Sequence, residues 1–216
     1  MNKISLFSSP ISPFRDENGR YVAATVQPSA SISLEALARL IRADEELMRK
    51  TEAVRNDADI KLAKTRMLPY VTPFGTFSRR KSDALLELSG LIPIDIDGLK
   101  SPEEAAEMRD SLFEDKMLNL ALAFVSPSRN GVKCFAPFPY ADVPAVSPEA
   151  IRDIAVWQEC LSDYIDFKYL CSAAEKVDRS GKDMARACFV CHDPDAKFRE
   201  CFNLISNPLN FKHGKV

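Results

Sequence analysis

The sequence has almost no net charge and no long apolar run. Its formal net charge is −2, so the chain as a whole carries no basic field that would attract nucleic acid, and any such surface must be local. No apolar stretch approaches the roughly 18 residues of a membrane-spanning helix, and the N-terminus lacks the basic and apolar regions of a signal peptide. We therefore expect a cytoplasmic protein without a membrane partner.

The cysteines raise two alternatives that the rest of the sequence does not favour. Cys188-Phe-Val-Cys191-His192 has the spacing of a haem-attachment motif, and the same residues with Cys201 have ligand types that zinc accepts. Haem attachment belongs to exported proteins, however, and the zinc set lacks a second pair of closely spaced ligands. We expect reduced cysteines without haem or zinc.

A short apolar strand that carries two acidic residues is the main feature of the chain. Residues 91–97 read Leu-Ile-Pro-Ile-Asp-Ile-Asp, and Gly98 follows. Because side chains alternate along a strand, Asp95 and Asp97 share one face, about 6–7 Å apart. Two like charges at this distance destabilise each other unless a cation lies between them, and Mg²⁺ or Mn²⁺ is the natural candidate. The alternative is a solvated strand end that turns at Asp97-Gly98.

The elements around this strand predict an α+β fold. Ser101-Pro102-Glu-Glu104 begins a helix with a capping box, and an apolar strand follows at residues 118–125. We interpret the two strands and the helix as a βαβ unit with parallel neighbouring strands. A proline-containing segment at residues 67–80, in which Gly75 indicates a hairpin or a close backbone approach, comes before the unit. A capped helix at residues 148–171 comes after it. The predicted core is a mixed sheet flanked by helices.

The N-terminal part is predicted to be partly helical. An opening strand at residues 3–7 is followed by a long connection, a helix capped by Ser33 and a charged helical stretch at residues 44–64. Leu47, Val54 and Leu62 form only a thin apolar stripe in this stretch, which is typical of a solvated helix. We assign residues 1–63 to this part, 64–200 to the core and 201–216 to a tail that could lead into a longer chain.

Three further segments carry candidate binding residues. The segment Ser126-Pro-Ser128-Arg-Asn130-Gly131-Val-Lys133 combines hydroxyls, an amide and cations that suit phosphate oxygens, although a plain turn is the alternative. We place Lys133 in an exposed loop, so its substitution is expected to leave the fold unaffected. Asp178 and Arg186 lie next to predicted strands further along the chain. Arg79, Arg80 and Lys81 form a basic cluster, either an exposed turn or a phosphate contact.

Two other aspartates of the last segment are predicted to be structural. We expect Asp183 and Asp193 to pair with nearby cations, namely Arg179, Lys182 or Arg186.

The order of these segments resembles the archaeo-eukaryotic primase–polymerase superfamily, whose members have an Asp-x-Asp strand, a Ser/Gly-rich loop that ends in a basic residue, and a later single Asp. Within it the chain is most similar to the VirE N-terminal domain family, also described as BT4734-like, a primase-related group associated with mobile elements. The resemblance covers about residues 64–195. One difference is that Lys133 stands where active primase–polymerases usually have a histidine.

This resemblance implies a nucleotidyltransferase that makes primers by two-metal phosphoryl transfer in the replication of a mobile element or plasmid. Its implied partners are a DNA template and primer, a ribo- or deoxyribonucleoside triphosphate, and a helicase in the same or another chain. The implied catalytic and metal-binding residues are Asp95, Asp97 and Asp178, with Mg²⁺ or Mn²⁺ as cofactor. The implied nucleotide-binding residues are Ser128, Asn130, Gly131, Lys133 and Arg186. Arg79 and Arg80 would contact phosphate or nucleic acid.

Two other functions stay open. Lys133 in the histidine position favours a catalytically degenerate module that binds DNA or nucleotide and serves a helicase. A metal-dependent nuclease or phosphohydrolase would use the same carboxylates. The sequence has only two histidines, His192 and His213, however, and neither lies in the motifs that carry the resemblance.

Overall fold

The computed structural model describes residues 3–138, 145–170, 176–179 and 183–200. The first ten strands are β1 (Lys3–Phe7), β2 (Phe14–Arg15), β3 (Tyr21–Val22), β4 (Ala30–Ser33), β5 (Tyr70–Thr72), β6 (Gly75–Phe77), β7 (Leu85–Leu88), β8 (Leu91–Asp97), β9 (Leu122–Val125) and β10 (Gly131–Pro137). They are followed by β11 (Lys176–Val177), β12 (Cys188–Phe189) and β13 (Lys197–Phe198). The helices are α1 (Leu34–Ala43), α2 (Glu45–Arg55), α3 (Ile60–Met67), α4 (Pro102–Glu114) and α5 (Pro148–Tyr169). The predicted tail at residues 201–216 lies outside the described residues.

A five-stranded sheet, which we call the central sheet, carries the Asp-x-Asp strand β8. Its strand order is β11-β8-β10-β9-β13, and all four pairings are antiparallel. The strands β8 and β9 therefore run parallel, but β10 lies between them, so the prediction of a mixed sheet with parallel neighbours is wrong. The reason is a tight turn, in which the Ser126 N–H donates to the Gly131 carbonyl over 2.8 Å and folds β10 back beside β9. The α+β class is as predicted.

A second, four-stranded sheet, which we call the N-terminal sheet, joins distant parts of the chain. Its order is β12-β5-β1-β4, again antiparallel throughout. The opening strand was predicted at its observed position, residues 3–7. The strands of this sheet come from both sides of the predicted domain boundary between residues 63 and 64, which stays a prediction.

The central sheet separates two hydrophobic cores. On one face, Ile94 and Ile96 pack with buried residues of α4 and α5, among them Leu112 and Leu161. On the other face, residues such as Phe124 pack with the N-terminal sheet and helices α1 to α3. Because side chains alternate along β8, Asp95 and Asp97 point away from the first core and towards the N-terminal sheet.

The helix starts follow the sequence signals closely, whereas the charged stretch differs from its prediction. Ser33, Ser101 and Ser147 each accept a hydrogen bond at a helix N-terminus, from the N–H groups of Ala36, Glu104 and Ala150. The stretch at residues 44–64 is two helices, α2 and α3, because Asp59 caps the start of a new helix. None of the helices in the described ranges combines the length and the apolar character needed to cross a membrane.

Gly75 marks a close backbone approach, as predicted. A Cβ atom at this position would lie 2.0 Å from the carbonyl oxygen of Glu87 on the paired strand β7. The segment reverses direction between β5 and β6, but the two strands belong to different sheets. It therefore links the N-terminal sheet to the small β6–β7 sheet beside the first core.

Candidate functional site

The three aspartates singled out in the sequence converge on one face of the central sheet. Asp95 lies opposite Lys133 on the neighbouring strand β10, and the Asp178 N–H donates to the Asp95 carbonyl over 2.8 Å. Asp97 lies opposite Gly131 in the next row of the same strand pair. One carboxylate oxygen from each of Asp95, Asp97 and Asp178 lies within 4.8 Å of the others. We call these residues the aspartate cluster.

Two cations pair with the aspartate cluster. The Lys133 ammonium group donates to Asp95 Oδ2, and the Arg186 guanidinium group donates to Asp178 Oδ2. Lys133 is the third residue of β10 and only 8% exposed, so its predicted position in an exposed loop is wrong. Lys133 lies inside strand β10 because pairing with β8 already begins at Gly131, opposite Asp97. We therefore expect substitution of Lys133 to affect the fold, contrary to the prediction.

The charges of this site shift its pKa values in opposite directions. Burial alone would lower the Lys133 pKa, but the interactions of Lys133 with its neighbours, above all with the Asp95 carboxylate, together outweigh burial and raise it. Partial desolvation raises the pKa of the Asp97 carboxyl above its ordinary value of 3.8, and the negative charge of Asp95 raises it further. Lys133 is thus a permanent cation near neutral pH, whereas Asp97 carries an electrostatic cost when it is ionised.

The aspartate cluster suits a divalent cation with oxygen ligands. Asp95 Oδ1 is buried and has no hydrogen-bond partner among the described residues. A buried carboxylate oxygen without a donor is unfavourable, and a bound cation would compensate it. The donor set consists of carboxylate oxygens, which Mg²⁺ and Mn²⁺ prefer. The residues present therefore fit the predicted metal.

The predicted phosphate loop lies at the Asp97 end of β8. The Ser128 hydroxyl donates a hydrogen bond to Asn130 Oδ1, and Ser126 Oγ lies 3.1 Å from Ser128 Oγ. A Cβ atom at Gly131 would lie 2.4 Å from the Ile96 carbonyl oxygen, so only glycine allows β10 to pair this closely. The loop reaches the cluster because β10 is antiparallel to β8, rather than through neighbouring parallel strands.

The two arginines of the basic cluster make different contacts. Arg80 donates to the Ile11 carbonyl over 3.3 Å and lies over the Tyr70 ring at 5.6 Å, which indicates a structural role. Arg79 is exposed and lies 3.7 Å from Asp83. Among the described residues neither arginine pairs with the aspartate cluster, and their assignment as phosphate or nucleic-acid contacts stays a prediction.

The two aspartates predicted to be structural have other partners than expected. Asp193 is buried, accepts from Arg109 over 3.1 Å, and accepts from the Val125 N–H over 2.8 Å. Asp183 accepts from the Ala185 N–H over 2.9 Å and from the Ser82 hydroxyl. The cation expected for Asp193 was wrong, because its partner Arg109 comes from a distant part of the chain. Lys182 lies outside the described residues, and a cation partner for Asp183 stays a prediction.

The described cysteines have contacts of different kinds. The Cys191 thiol donates to the Val125 carbonyl over 3.2 Å, and burial raises its pKa to about 12. Cys188 lines a small pocket beside the aspartate cluster, which is described below, and burial raises its pKa to about 11. Cys201 lies outside the described residues, and the absence of haem and zinc stays a prediction.

A small pocket opens beside the row of Asp178, Asp95 and Lys133. Its lining residues are Pro73, Pro93, Ile94, Asp95, Lys133, Gln158, Asp178, Arg186, Ala187 and Cys188. The pocket brings together strands of both sheets and the segment around Arg186. A ligand bound here would contact Asp95 and Asp178 together with the two cations that pair with them.

Two further cations near the site have interactions that were not predicted from the sequence. Burial lowers the pKa of Lys64 in α3, the nearby Lys133 lowers it further, and Asp95 and Asp97 act in the opposite direction. Arg179 follows Asp178 and pairs with Glu159 and Asp163 of α5, each over 2.7 Å. The sequence does contain a signal for the Arg179 contacts. The acidic residues 159, 163 and 166 recur at spacings of four and three, which places them on one face of α5.

The fold and the site together define an α+β domain with an acidic cluster between two sheets. The family described as BT4734-like, N-terminal domain, matches residues 63–198, which is more than half of the chain. The chain therefore belongs to this family. Neither a curated protein nor a solved structure shows significant similarity to it.

Proposed function

We propose that this chain is a primase–polymerase-type nucleotidyltransferase that adds nucleotides to a DNA primer on a template. The observation that carries the proposal is the convergence of Asp95, Asp97 and Asp178, whose carboxylate oxygens lie within 4.8 Å of one another. The resemblance of the family to primases, its association with mobile elements and the ligand types of the cluster support a role in replication, with a helicase as a further partner.

The chemistry follows from the positions of the charges. The aspartate cluster would hold Mg²⁺ or Mn²⁺, which supplies activation of the primer hydroxyl and neutralisation of the leaving pyrophosphate. Lys133 and Arg186 would bind the triphosphate oxygens and offset negative charge in the transition state. In the structure the same two cations pair with Asp95 and Asp178, so binding of the triphosphate would require them to change partners.

A second candidate is a degenerate module that binds nucleotide or DNA without transfer. The buried pair of Lys133 and Asp95 favours it, because the ammonium group occupies one oxygen of a carboxylate that would bind metal. Replacing Lys133 by histidine distinguishes the candidates. If this position limits activity, Lys133→His raises primer extension, whereas unchanged inactivity supports the degenerate module.

The test is primer extension with labelled ribo- or deoxyribonucleoside triphosphate, a primed template and Mn²⁺. We expect extension by the parent chain and its loss in Asp95→Asn and Asp178→Asn. Glu35→Gln is the matched control, because it removes one negative charge from a side chain that is 67% exposed. Nucleotide retention without extension would favour the degenerate module, and primer degradation would favour a nuclease. A parent that binds neither Mn²⁺ nor nucleotide in calorimetry would contradict the proposal.

A further inference from the structure

Helix α3 presents a lysine on the side that packs against the protein. Its packing side carries Ile60, Ala63, Lys64 and Met67, with spacings of three, one and three residues. This is the pattern of the buried stripe of an amphipathic helix. Three of these four residues are apolar, so Lys64 stands where a hydrophobic residue is expected. Thr65, which follows Lys64, is half-buried as well. The Leu62 side chain, which the sequence pattern assigned to the stripe, is 42% exposed.

Lys64 has no carboxylate partner among the described residues. Its ammonium group lies 5.6 Å from the centre of the Phe189 ring, on the strand β12 that also carries Cys188 of the pocket. A cation over an aromatic ring gains only part of what it loses by leaving water. The other two cations of the site, Lys133 and Arg186, both have an aspartate partner. A half-buried lysine beside them therefore has an unused capacity to bind an anion.

The electrostatic surroundings of Lys64 locate this capacity at the aspartate cluster. Burial lowers the Lys64 pKa, Lys133 lowers it further, and Asp95 and Asp97 act in the opposite direction. These are the charges of the site itself, and the Phe189 ring under the Lys64 ammonium group directly follows Cys188 of the pocket. Lys64 therefore lies at the border of the site, on the side of the N-terminal helices. An anion held between Lys64 and Lys133 would remove the repulsion between the two ammonium groups.

We propose that Lys64 is a phosphate-binding residue of this site and contacts the triphosphate of the nucleotide. The proposal rests on the proposed function, since it assigns to that site a third cation from outside its sequence motifs. A nucleic-acid backbone would offer the same phosphate chemistry, and the experiment separates the two sources.

The experiment compares Lys64→Met with the parent chain by calorimetry in the presence of Mg²⁺. The probes are a non-hydrolysable nucleoside triphosphate, the nucleoside without phosphates, and a single-stranded oligonucleotide. We expect the dissociation constant for the triphosphate to rise about ten- to a hundredfold, as for loss of a charge-assisted hydrogen bond. Any affinity for the nucleoside should stay unchanged, and Lys64→Arg should restore most of the triphosphate affinity.

Lys61→Met is the matched control, because Lys61 is an exposed lysine of the same helix. Lys64→Met places an apolar side chain on the packing stripe, so we expect the variant to fold and to melt no lower than the parent. Unchanged triphosphate binding by Lys64→Met would overturn the inference while leaving the proposed function intact. Weaker binding of the oligonucleotide alone would overturn the assignment to the nucleotide. A parent chain that binds no triphosphate would contradict both proposals.

Discussion

Lys133 and Asp95 face each other across the strand pair β10–β8, and the ammonium group of Lys133 donates to Asp95 Oδ2. Both side chains are largely removed from water, with 9% of Lys133 and 25% of Asp95 exposed. The pair therefore stabilises the fold, and at the same time it occupies a carboxylate oxygen that a metal ion would use. Stability and cation binding are coupled at this position.

Replacing Lys133 by methionine separates the two effects. We expect the free energy of unfolding to fall by about 1–3 kcal/mol, because Asp95 is left without its partner. We expect Mn²⁺ to bind about tenfold more tightly, since an ammonium group no longer competes for Asp95. Denaturant unfolding and calorimetry measure the two quantities. Equal stability of variant and parent would show that the pair contributes nothing to the fold.

The pH dependence of stability without metal should report on Asp97. Its carboxyl pKa is raised in the folded chain, so the folded state holds this proton to a higher pH than the unfolded state. Stability is therefore lost as the pH rises from the ordinary value of 3.8 through the raised value. Above this range, with a chelator present, Asp97→Asn should be more stable than the parent. Denaturant unfolding over a pH series measures this difference, and added Mn²⁺ should reverse it.

Substitution of Gly131 should damage the site through the backbone. A Cβ atom there would lie 2.4 Å from the Ile96 carbonyl oxygen and 3.1 Å from Asp97 Oδ1, so strand β10 must move away from β8. We expect Gly131→Ala to cost about 1–3 kcal/mol and to weaken Mn²⁺ binding. Gly19→Ala is the control, because no atom lies within 4 Å of its Cβ position and the cost is only that of its φ of +75°. Tight Mn²⁺ binding by Gly131→Ala would contradict the predicted movement.

Arg179 should act as a positioning residue for Asp178. It ties the end of β11 to α5 through Glu159 and Asp163, each over 2.7 Å. We expect Arg179→Gln to weaken Mn²⁺ binding about tenfold, as for other residues that orient a metal ligand, with partial rescue by Arg179→Lys. Arg152→Gln is the control, because Arg152 pairs with Glu149 at an exposed position of α5. Loss of thermal stability without a change in Mn²⁺ affinity would indicate a purely structural role.

Local signals predicted the parts of the site that lie on single elements. The alternation of Ile94, Asp95, Ile96 and Asp97 placed both carboxylates on one face, and Ser101 marked the start of α4. Strand order could not be predicted in the same way. The position of β10 between β8 and β9 depends on pairing across the fold, and the sequence between two strands does not specify which edge a third strand takes.

Lys64 shows a similar limit. The apolar stripe of the charged stretch was traced through Leu47, Val54 and Leu62 as if one helix continued. Helix α3 is a new helix that begins after its cap Asp59, so its packing face is independent of that of α2. A lysine between Ala63 and Met67 therefore reads as a surface residue in the sequence and becomes part of the site only in the folded chain.

The N-terminal sheet determines whether the region matched by the family can be produced as a separate fragment. Strand β5 lies inside the matched range of residues 63–198, but one of its two neighbours, β1, lies before it. A fragment cut at residue 63 would expose the backbone groups of β5 along an edge that is otherwise paired, next to apolar residues such as Val71. Unpaired edges of this kind favour aggregation. Soluble expression should therefore require the first strand, even though it lies outside the region by which the family is recognised.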